Sequence, residues 1–344
     1  MAWISGFWVG AMTFGRGQSV WELAQKVGGV SELERGGEDA LVAAGLRPDV
    51  ARAWDRSLPV TTSGEPLTMA DPRYPARLLG LTEAPPVLIV EGDLRCLEGP
   101  AWAVVGTRAC TAYGASITRH LAGRLAASGA VVVSGLARGI DGHAHRAAMA
   151  VGRTIAVLGH GLGSTSPASH RTLRSQIVRN GGAVVTGFLD DLHPRPHTFP
   201  QRNPWISGLS DGVVVVEAGH RSGASITARA AADQGRDVVV VPGQIGAPQS
   251  VGCLRLLRDG ARVLWDVEEF VYDILGERPR PRAQWLAALF AGSTLDDVST
   301  MARRPSSVLL AELSVMELDG TVTRLPGHRF APGPRFVTAG DAAG

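Results

Sequence analysis

The chain has 344 residues, of which 45% are hydrophobic and 19% charged, and its formal net charge is +2. These values exclude global disorder and a polybasic chain, and they allow two or three domains with sizeable cores and a local basic patch. The three cysteines form no CxxC pair, and the N-terminus is too short to span a bilayer and has no basic targeting region, so we expect a reducing cytoplasmic location without membrane contact.

The first part of the chain, residues 1–62, has helical patterning punctuated by paired glycines and predicts a small helical domain. The pattern leaves open whether this domain makes a helix–turn–helix contact with DNA or packs against a partner. Residues 61–75 predict a linker. The following segment, 85–92, begins with two prolines and predicts a strand at the edge of a sheet, where proline is tolerated.

From Ala101 onwards, apolar strands alternate regularly with helices. About seven strands are predicted, and most of them are continuous apolar runs rich in valine. Because continuous apolar strands between helices are typical of sheets buried on both faces, residues 63–272 predict an α/β core with a doubly wound parallel sheet. A long loop with three prolines is predicted over residues 187–202.

The C-terminal part follows a proline- and arginine-rich linker at residues 274–282. Residues 283–332 predict three short helices and a β-ribbon, which is a winged-helix-like pattern. The acidic residues Glu312, Glu317 and Asp319 make this domain a poor reader of DNA, so we expect it to contact protein. The tail beyond Pro332 is rich in glycine, alanine and proline.

The most informative turn lies after the strand at residues 131–133, where a glycine-rich segment precedes an alanine-rich helix. A strand, a glycine turn and a helix N-terminus predict backbone N–H groups that point outward to an anion. Arg138 adds positive charge to this turn, and Asp141 is predicted to be the N-cap. The alternative is a tight turn whose glycines serve only the backbone geometry.

Ligands of open parallel sheets bind beyond the carboxyl ends of the strands, so the segments that follow the strands should converge on one site. Residues 101–221 contain twelve arginines and five acidic residues, a balance of +7 in a chain of net charge +2. This asymmetry favours an anionic ligand with several phosphates, although arginines on solvated helix faces give the same count.

Several enzyme classes and cofactors are not supported by motifs. The first turn after a strand lacks GxGxxG, no GxSxG elbow occurs, and the only lysine, Lys26, is not in a Walker A motif. The histidine spacing shows no metal constellation, so we expect neither metal nor cofactor, and His145 is expected to be a buried helix residue that bonds backbone. Glu217 is the single enzymatic candidate, and its alternative role is to anchor the loop at 218–225.

Six motifs occur in register between residues 70 and 270, and together they resemble the DNA-processing protein A (DprA/Smf) family. They are Gly106-Thr107-Arg108, residues 134–141 with His145, Phe199 to Asn203, residues 216–227, residues 235–238 and Val241-Pro242-Gly243. The resemblance implies an extended Rossmann-like core that binds single-stranded DNA without known catalysis. It also implies protection of incoming DNA in natural transformation, loading of RecA recombinase, and a homodimer formed through the core.

The resemblance assigns DNA contacts to positions that match the family motifs. These predicted contacts are Gly106, Arg108, Ser134, Gly135, Arg138, Phe199, Arg202, Asn203, Arg221, Ser222, Gly223 and Ser225. The chain departs from the family at Pro204, where an arginine is usual, at Ser166, where tyrosine is common, and at Thr186-Gly187, where serine-glutamate is common. The absence of this arginine should weaken contact with the DNA backbone, and the absence of the tyrosine should remove a surface on which a base stacks. Phe199 is either a base-stacking residue or a core residue.

We therefore expect a single-stranded DNA-binding recombination mediator that is not an enzyme. The rival from another class is a Rossmann-type nucleotide phosphoribohydrolase that uses Glu217, although residues 218–223 match the usual glycine-rich segment of such enzymes poorly. A transcription regulator that uses the C-terminal domain is a third possibility.

Overall fold

The computed structural model describes residues 2–14, 20–220, 222–276, 286, 288–302, 306–318, 320, 322–326 and 329–333. Residues Met1–Leu275 form one compact unit and Gly276–Gly344 form a second. The three domains predicted from the sequence, with boundaries near residues 62 and 272–283, stay a prediction. No helix in the described part of the chain is long and apolar enough to cross a membrane.

The first unit begins with a short strand and four helices: β1 (Ala2–Ile4), α1 (Gly6–Phe14), α2 (Val20–Lys26), α3 (Val30–Ala43) and α4 (Pro48–Asp55). The sequence predicted helices here but not the antiparallel pair of β1 with β2 (Val60–Thr62). Trp8 and Trp54 are buried in the same apolar cluster as one face of the central sheet, so this segment packs directly on the core.

The central sheet has nine strands in the order β11-β10-β9-β5-β6-β7-β8-β4-β3. Their bounds are β3 (Glu65–Thr68), β4 (Val87–Gly92), β5 (Ala101–Val105), β6 (Val131–Ser134), β7 (Thr154–Val157), β8 (Ala183–Thr186), β9 (Gly212–Val215), β10 (Asp237–Val240) and β11 (Arg262–Val263). The pairs from β5 to β11 are parallel, as predicted from their apolar runs, whereas β3 and β4 are antiparallel to their neighbours.

The prediction that residues 85–92 form an edge strand is wrong. Strand β4 lies inside the sheet, between β8 and β3. Pro85 and Pro86 precede the first paired residue, Val87, so their missing N–H groups cost the strand no ladder hydrogen bond. The edge strand on this side of the sheet is β3, whose residues were predicted to belong to a linker.

Seven further α-helices occur among the described residues of the first unit: α5 (Ala112–Ala127), α6 (Ile140–Met149), α7 (Arg171–Arg179), α8 (Thr198–Gly208), α9 (Gly223–Asp233), α10 (Val251–Arg258) and α11 (Val267–Leu275). Side chains of α5, α6 and α11 bury one face of the sheet, and side chains of α7, α8 and α9 bury the other. This is the double winding that the sequence predicts.

Helix α8 corrects the predicted loop over residues 187–202. The segment Phe199 to Asn203 is helical, although it contains Pro200 and is followed by Pro204. Pro200 is tolerated because the first four N–H groups of a helix have no partner within the helix. Pro204 removes one interior hydrogen bond, and the helix continues past it to Gly208.

In the second unit, the described elements are α12 (Leu295–Ala302), α13 (Ser306–Leu318) and an antiparallel ribbon of β12 (Val322–Leu325) with β13 (Arg329–Pro332). Leu309, Leu313 and Phe330 are buried in its core. The ribbon agrees with the predicted pattern of helices followed by a hairpin, and the winged-helix assignment stays a prediction.

Candidate nucleic-acid interface

A cavity of about 820 Å³ opens at the carboxyl ends of the parallel strands. It lies where the loop after β5 and the loop after β9 diverge, because β5 continues to β6 on one side and β9 continues to β10 on the other. Open α/β sheets bind ligands at such a switch point. The cavity is lined by predicted contact residues from three segments: Gly106, Arg108, Phe199, Arg202, Asn203, Ser222 and Gly223.

The rim of the cavity carries exposed positive charge. Arg108 and Arg195 line the cavity, and both are exposed. Arg138 is exposed in the turn beside Arg108, although it does not line the cavity itself. None of the three forms an ion pair with an acidic side chain in the part of the chain that the structure describes. The rim therefore offers guanidinium groups to an anion without first breaking an internal salt bridge.

An aromatic side chain lies beneath this charge. Phe199, in the first turn of α8, is half-buried and lines the cavity. The Arg108 guanidinium lies over its ring, 5.7 Å from the centroid, in a cation–π arrangement. A guanidinium over a half-buried ring combines a phosphate contact with an aromatic surface, and single-strand binders use both kinds of group.

The turn after β6 differs from the predicted arrangement of outward N–H groups. The amides of Gly135 and Ala137 both donate to Oδ2 of Asp141, at 3.1 and 3.2 Å. Asp141 is not the N-cap, which is Gly139 with a φ of 73°. It lies in the first turn of α6 and folds back under the turn. The protein's own carboxylate thus occupies two of the amides that the sequence analysis offered to an anion.

Arg202 holds the same turn from the other side. It is only 4% exposed, and its Nη1 donates to the carbonyl oxygens of Gly135, at 3.0 Å, and Val157. Its buried Nε has no hydrogen-bond partner among the described atoms. Burial lowers the pKa of Arg202 to about 10, while the nearby Asp141 carboxylate opposes that shift. Arg202 is thus a buried brace between α8 and the ends of β6 and β7.

The other predicted contacts fall into different environments. Ser134 is fully buried and donates to the carbonyl oxygen of Val104 at 2.7 Å. Asn203 is buried and donates to the carbonyl oxygen of Gly223 at 3.1 Å, which joins α8 to α9. Ser222 is the N-cap of α9, and Ser225 is half-buried outside the cavity lining. Arg221 lies outside the described residues.

Glu217, the enzymatic candidate, is buried at the end of β9 and does not line the cavity. It accepts hydrogen bonds from the backbone N–H of Thr111, at 2.9 Å, and from the Thr111 hydroxyl. Its carboxylate thus anchors the start of α5. The expected anchoring role is present, but at residue 111 and not in the loop at 218–225.

The buried histidines also differ in detail from the expectation. Nδ1 of His145 lies 2.7 Å from Oγ1 of Thr154, and the Thr154 hydroxyl donates to the Val132 carbonyl oxygen, so His145 bonds a side chain and not the backbone. No group of three or more potential ligands among the described residues is arranged to hold a metal ion.

Two parts of the cavity lining were not predicted from the sequence. Pro194, Arg195 and Pro196 line it from the segment before α8, and Ile226 and Thr227 line it from α9. The two prolines of residues 194–196 were the available signal, because proline favours an extended backbone that can form a wall at the end of a sheet. This segment was interpreted only as a loop.

Comparison with known proteins identifies relatives over most of the chain. Residues 65–275 match the family model described as DNA recombination-mediator protein A. Protein Smf of Escherichia coli (strain K12) is 40% identical over 275 residues, which cover 74% of this chain and 74% of that protein. A putative DNA processing protein DprA of Mycobacterium tuberculosis is 35% identical over 337 residues, covering 89% and 82%.

Two solved structures share the fold. DNA processing protein A from Streptococcus pneumoniae superposes with a TM-score of 0.67 and 31% identity, covering 79% of this chain and 98% of that one. DNA processing protein A from Helicobacter pylori, whose structure describes a single-stranded DNA binding mode, superposes with a TM-score of 0.56 and 29% identity, covering 63% and 99%.

Proposed function

The chain belongs to the DNA recombination-mediator protein A family, and from that premise we propose that it binds single-stranded DNA in the cavity at the ends of β5 and β9. The observation that carries this proposal is the rim of exposed arginines, without acidic partners among the described residues, around a half-buried phenylalanine. The Helicobacter pylori relative, which binds single-stranded DNA, supports the choice of ligand.

The side chains of the rim suit single-stranded DNA that is bound through its phosphate backbone. Arg108, Arg138 and Arg195 supply charges for phosphates, and Phe199 supplies a face on which any base stacks. Neither contact distinguishes one base from another. Binding is therefore expected to be independent of sequence and strongly weakened by salt, because each neutralised phosphate releases counterions.

The proposed biological role is to protect incoming single strands and to load RecA recombinase on them during natural transformation, in the cytoplasm. Free thiols at Cys96, Cys110 and Cys253 are compatible with a reducing compartment. A test of loading is whether the protein accelerates RecA assembly on an oligonucleotide that is already covered by single-strand binding protein. If the protein does not accelerate RecA assembly, the proposal of RecA loading is refuted, whereas the proposal of DNA binding is unaffected.

We also propose a homodimer formed through the core. Strand β11 is an edge of the sheet, and Val263 in this strand and Trp265 just after it are exposed at 41% and 70%. Apolar residues on an unpaired strand edge suit association with a second copy. Sedimentation of the parent and of Trp265→Glu tests this, since a monomeric parent would exclude the dimer.

A non-catalytic role is proposed because Glu217, the one enzymatic candidate from the sequence, is not among the residues that line the cavity. Both carboxylate oxygens of Glu217 are engaged by Thr111, and the residue lies outside the cavity lining. Incubation with nucleoside monophosphates, with release of free base as the measurement, tests the alternative directly. Turnover that disappears in Glu217→Gln would overturn the non-catalytic proposal.

The decisive experiment measures fluorescence anisotropy of a labelled oligothymidylate and of a duplex across a salt series. Arg108→Ala and Arg138→Ala should each weaken single-strand binding and reduce the slope of log K against log salt by about 0.7, the value for one phosphate contact. Arg179→Ala removes an exposed charge near the amino ends of the strands, at the end of the sheet opposite the cavity, and serves as the control. Absent single-strand binding in the parent, or equal binding in all three variants, would overturn the proposed site.

A further inference from the structure

Helices α5 and α6 pack side by side next to the cavity, and their outer surface carries positive charge without exposed acids. Helix α5 contains no acidic residue, and the single acid of α6, Asp141, is buried. Arg119 and Arg146 are exposed on this surface, and His143 between them is half-buried. We refer to Arg119, His143 and Arg146 as the α5–α6 track.

The members of the track come from two helices that pack against each other, and Arg146 lies one turn after His143 on α6. Burial lowers the pKa of His143, and the positive charges of Arg119 and Arg146 lower it further. Both guanidinium groups are therefore within electrostatic reach of the same imidazole. Like charges gathered without a counterion raise the local potential and attract a polyanion.

On the other side of α5, basic side chains are paired with an acidic residue of α11. Glu268 accepts from Nε of Arg124 at 2.8 Å and lies 3.0 Å from Nε2 of His120. Neither Arg119 nor Arg146 has an acidic partner among the residues that the structure describes. The basic residues of α5 that face α11 are thus paired with an acid, whereas Arg119, which belongs to the track, has no such partner in the described part of the chain.

The α5–α6 track continues the rim of the cavity. The backbone at Gly139 packs so closely on Thr107 and Arg108 that a Cβ there would collide with both, so Arg138 adjoins Arg108. From Ile140 to Arg146 the helix rises about 9 Å, and helical side chains lean toward the N-terminus. Accordingly, Nη1 of Arg146 reaches back to the carbonyl oxygen of Gly142 at 3.0 Å. A strand leaving the cavity over Arg138 thus meets the track within about 10 Å.

We propose that a single strand held in the cavity continues over the rim and along the α5–α6 track, where its flanking phosphates bind Arg119 and Arg146. This inference rests on the proposed function of the cavity. The continuing strand is favoured as the occupant because its phosphates carry the complementary charge and its path begins at a rim that adjoins the track.

The test compares two lengths of labelled oligothymidylate on the full chain, one of about six nucleotides, which suits the cavity, and one of about thirty. The variants are the pair Arg119→Ala/Arg146→Ala and a control pair, Arg153→Ala/Arg179→Ala. The control removes the same charge from two exposed positions, one just before β7 and one at the end of α7, near the amino ends of the strands and opposite the cavity. All four side chains are exposed, so both pairs should unfold at the same temperature as the parent.

For the thirty-nucleotide ligand, loss of two phosphate contacts should reduce the salt slope by about 1.4 and lower the affinity roughly tenfold at low salt. The affinity of the Arg119→Ala/Arg146→Ala variant for the six-nucleotide ligand should equal the affinity of the control variant for the same ligand. A thirty-nucleotide affinity and slope equal to those of the control pair would overturn the track while leaving the cavity intact. Failure of the parent to bind either length would overturn the cavity, and the track with it.

Discussion

Replacing Arg202 with alanine should destabilise the fold, whereas replacing the neighbouring Arg108 should not. The two arginines approach the same cavity, but only Arg202 is buried, and its Nη1 donates to the carbonyl oxygens of Gly135 and Val157. Alanine at 202 would leave two buried acceptors without a donor. It would also leave Asp141 without the positive charge that faces it.

The magnitude follows from these contacts. A buried acceptor that loses its donor costs about 1–3 kcal/mol, and Arg202 donates to two such acceptors, the carbonyl oxygens of Gly135 and Val157. Because the two contacts share one side chain, we expect a loss of about 3–5 kcal/mol, which lies within the range for two such acceptors. Arg108→Ala removes an exposed side chain and should change the free energy of unfolding by less than about 0.5 kcal/mol.

Urea unfolding followed by far-ultraviolet circular dichroism measures both values. For Arg202→Ala the midpoint should fall by at least about 1 M, since a chain of this size loses about 3 kcal/mol of stability per molar urea. Arg202→Lys, which keeps the charge but not the planar fork, should fall between the alanine variant and the parent. A parental midpoint for Arg202→Ala together with lost DNA binding would refute the brace and make Arg202 a direct phosphate ligand.

Three further predictions concern stability. Gly114→Ala should destabilise, because the new Cβ would lie 2.7 Å from Oε1 of Glu217, whereas Gly123→Ala in the same helix has open space and should stabilise by about 0.5–1 kcal/mol; equal urea midpoints would contradict this. Glu217→Ala should cost about 1–3 kcal/mol by releasing Thr111, and an unchanged melting temperature would exclude the anchor. Burial lowers the pKa of His145 to about 3, so the unfolded chain binds the extra proton below about pH 6.5, and stability should fall there by up to about 1.4 kcal/mol per pH unit. His145→Gln should lose that part of the slope in urea titrations between pH 7 and 5, and an unaltered slope would contradict the assignment.

The parallel part of the sheet was predictable because its strands are unusually uniform. Strands β5 to β9 are buried along their whole length, and their valine runs carry no polar face that would suggest another arrangement. The short antiparallel strands β1, β2 and β3 escaped prediction for the opposite reason. They have only three or four residues each and a mixed burial pattern, which no periodicity reveals.

Helix α8 was missed because proline is a strong local signal that tertiary packing overrode. Trp205 and Ile206 bury one side of the helix against the sheet, and Nε1 of Trp205 donates to the carbonyl oxygen of Glu83 at 2.6 Å. The consequence for the site is large, because the helix directs Arg202 inward and leaves Phe199 at the cavity. Residue types alone predicted that both lie at the site, but not which of them is buried.

The glycine turn after β6 explains why side chains, and not backbone amides, should dominate binding. Two of its amides are held by Asp141, and one of its carbonyl groups is held by Arg202, so the turn is rigid before any ligand arrives. An incoming phosphate would have to displace a buried carboxylate to reach the amides of Gly135 or Ala137. Arg108 and Arg138 require no such displacement, since they are exposed and unpaired among the described residues. Affinity carried by such arginines depends on phosphate charge and not on base identity, which is the behaviour that a protein handling strands of any sequence requires.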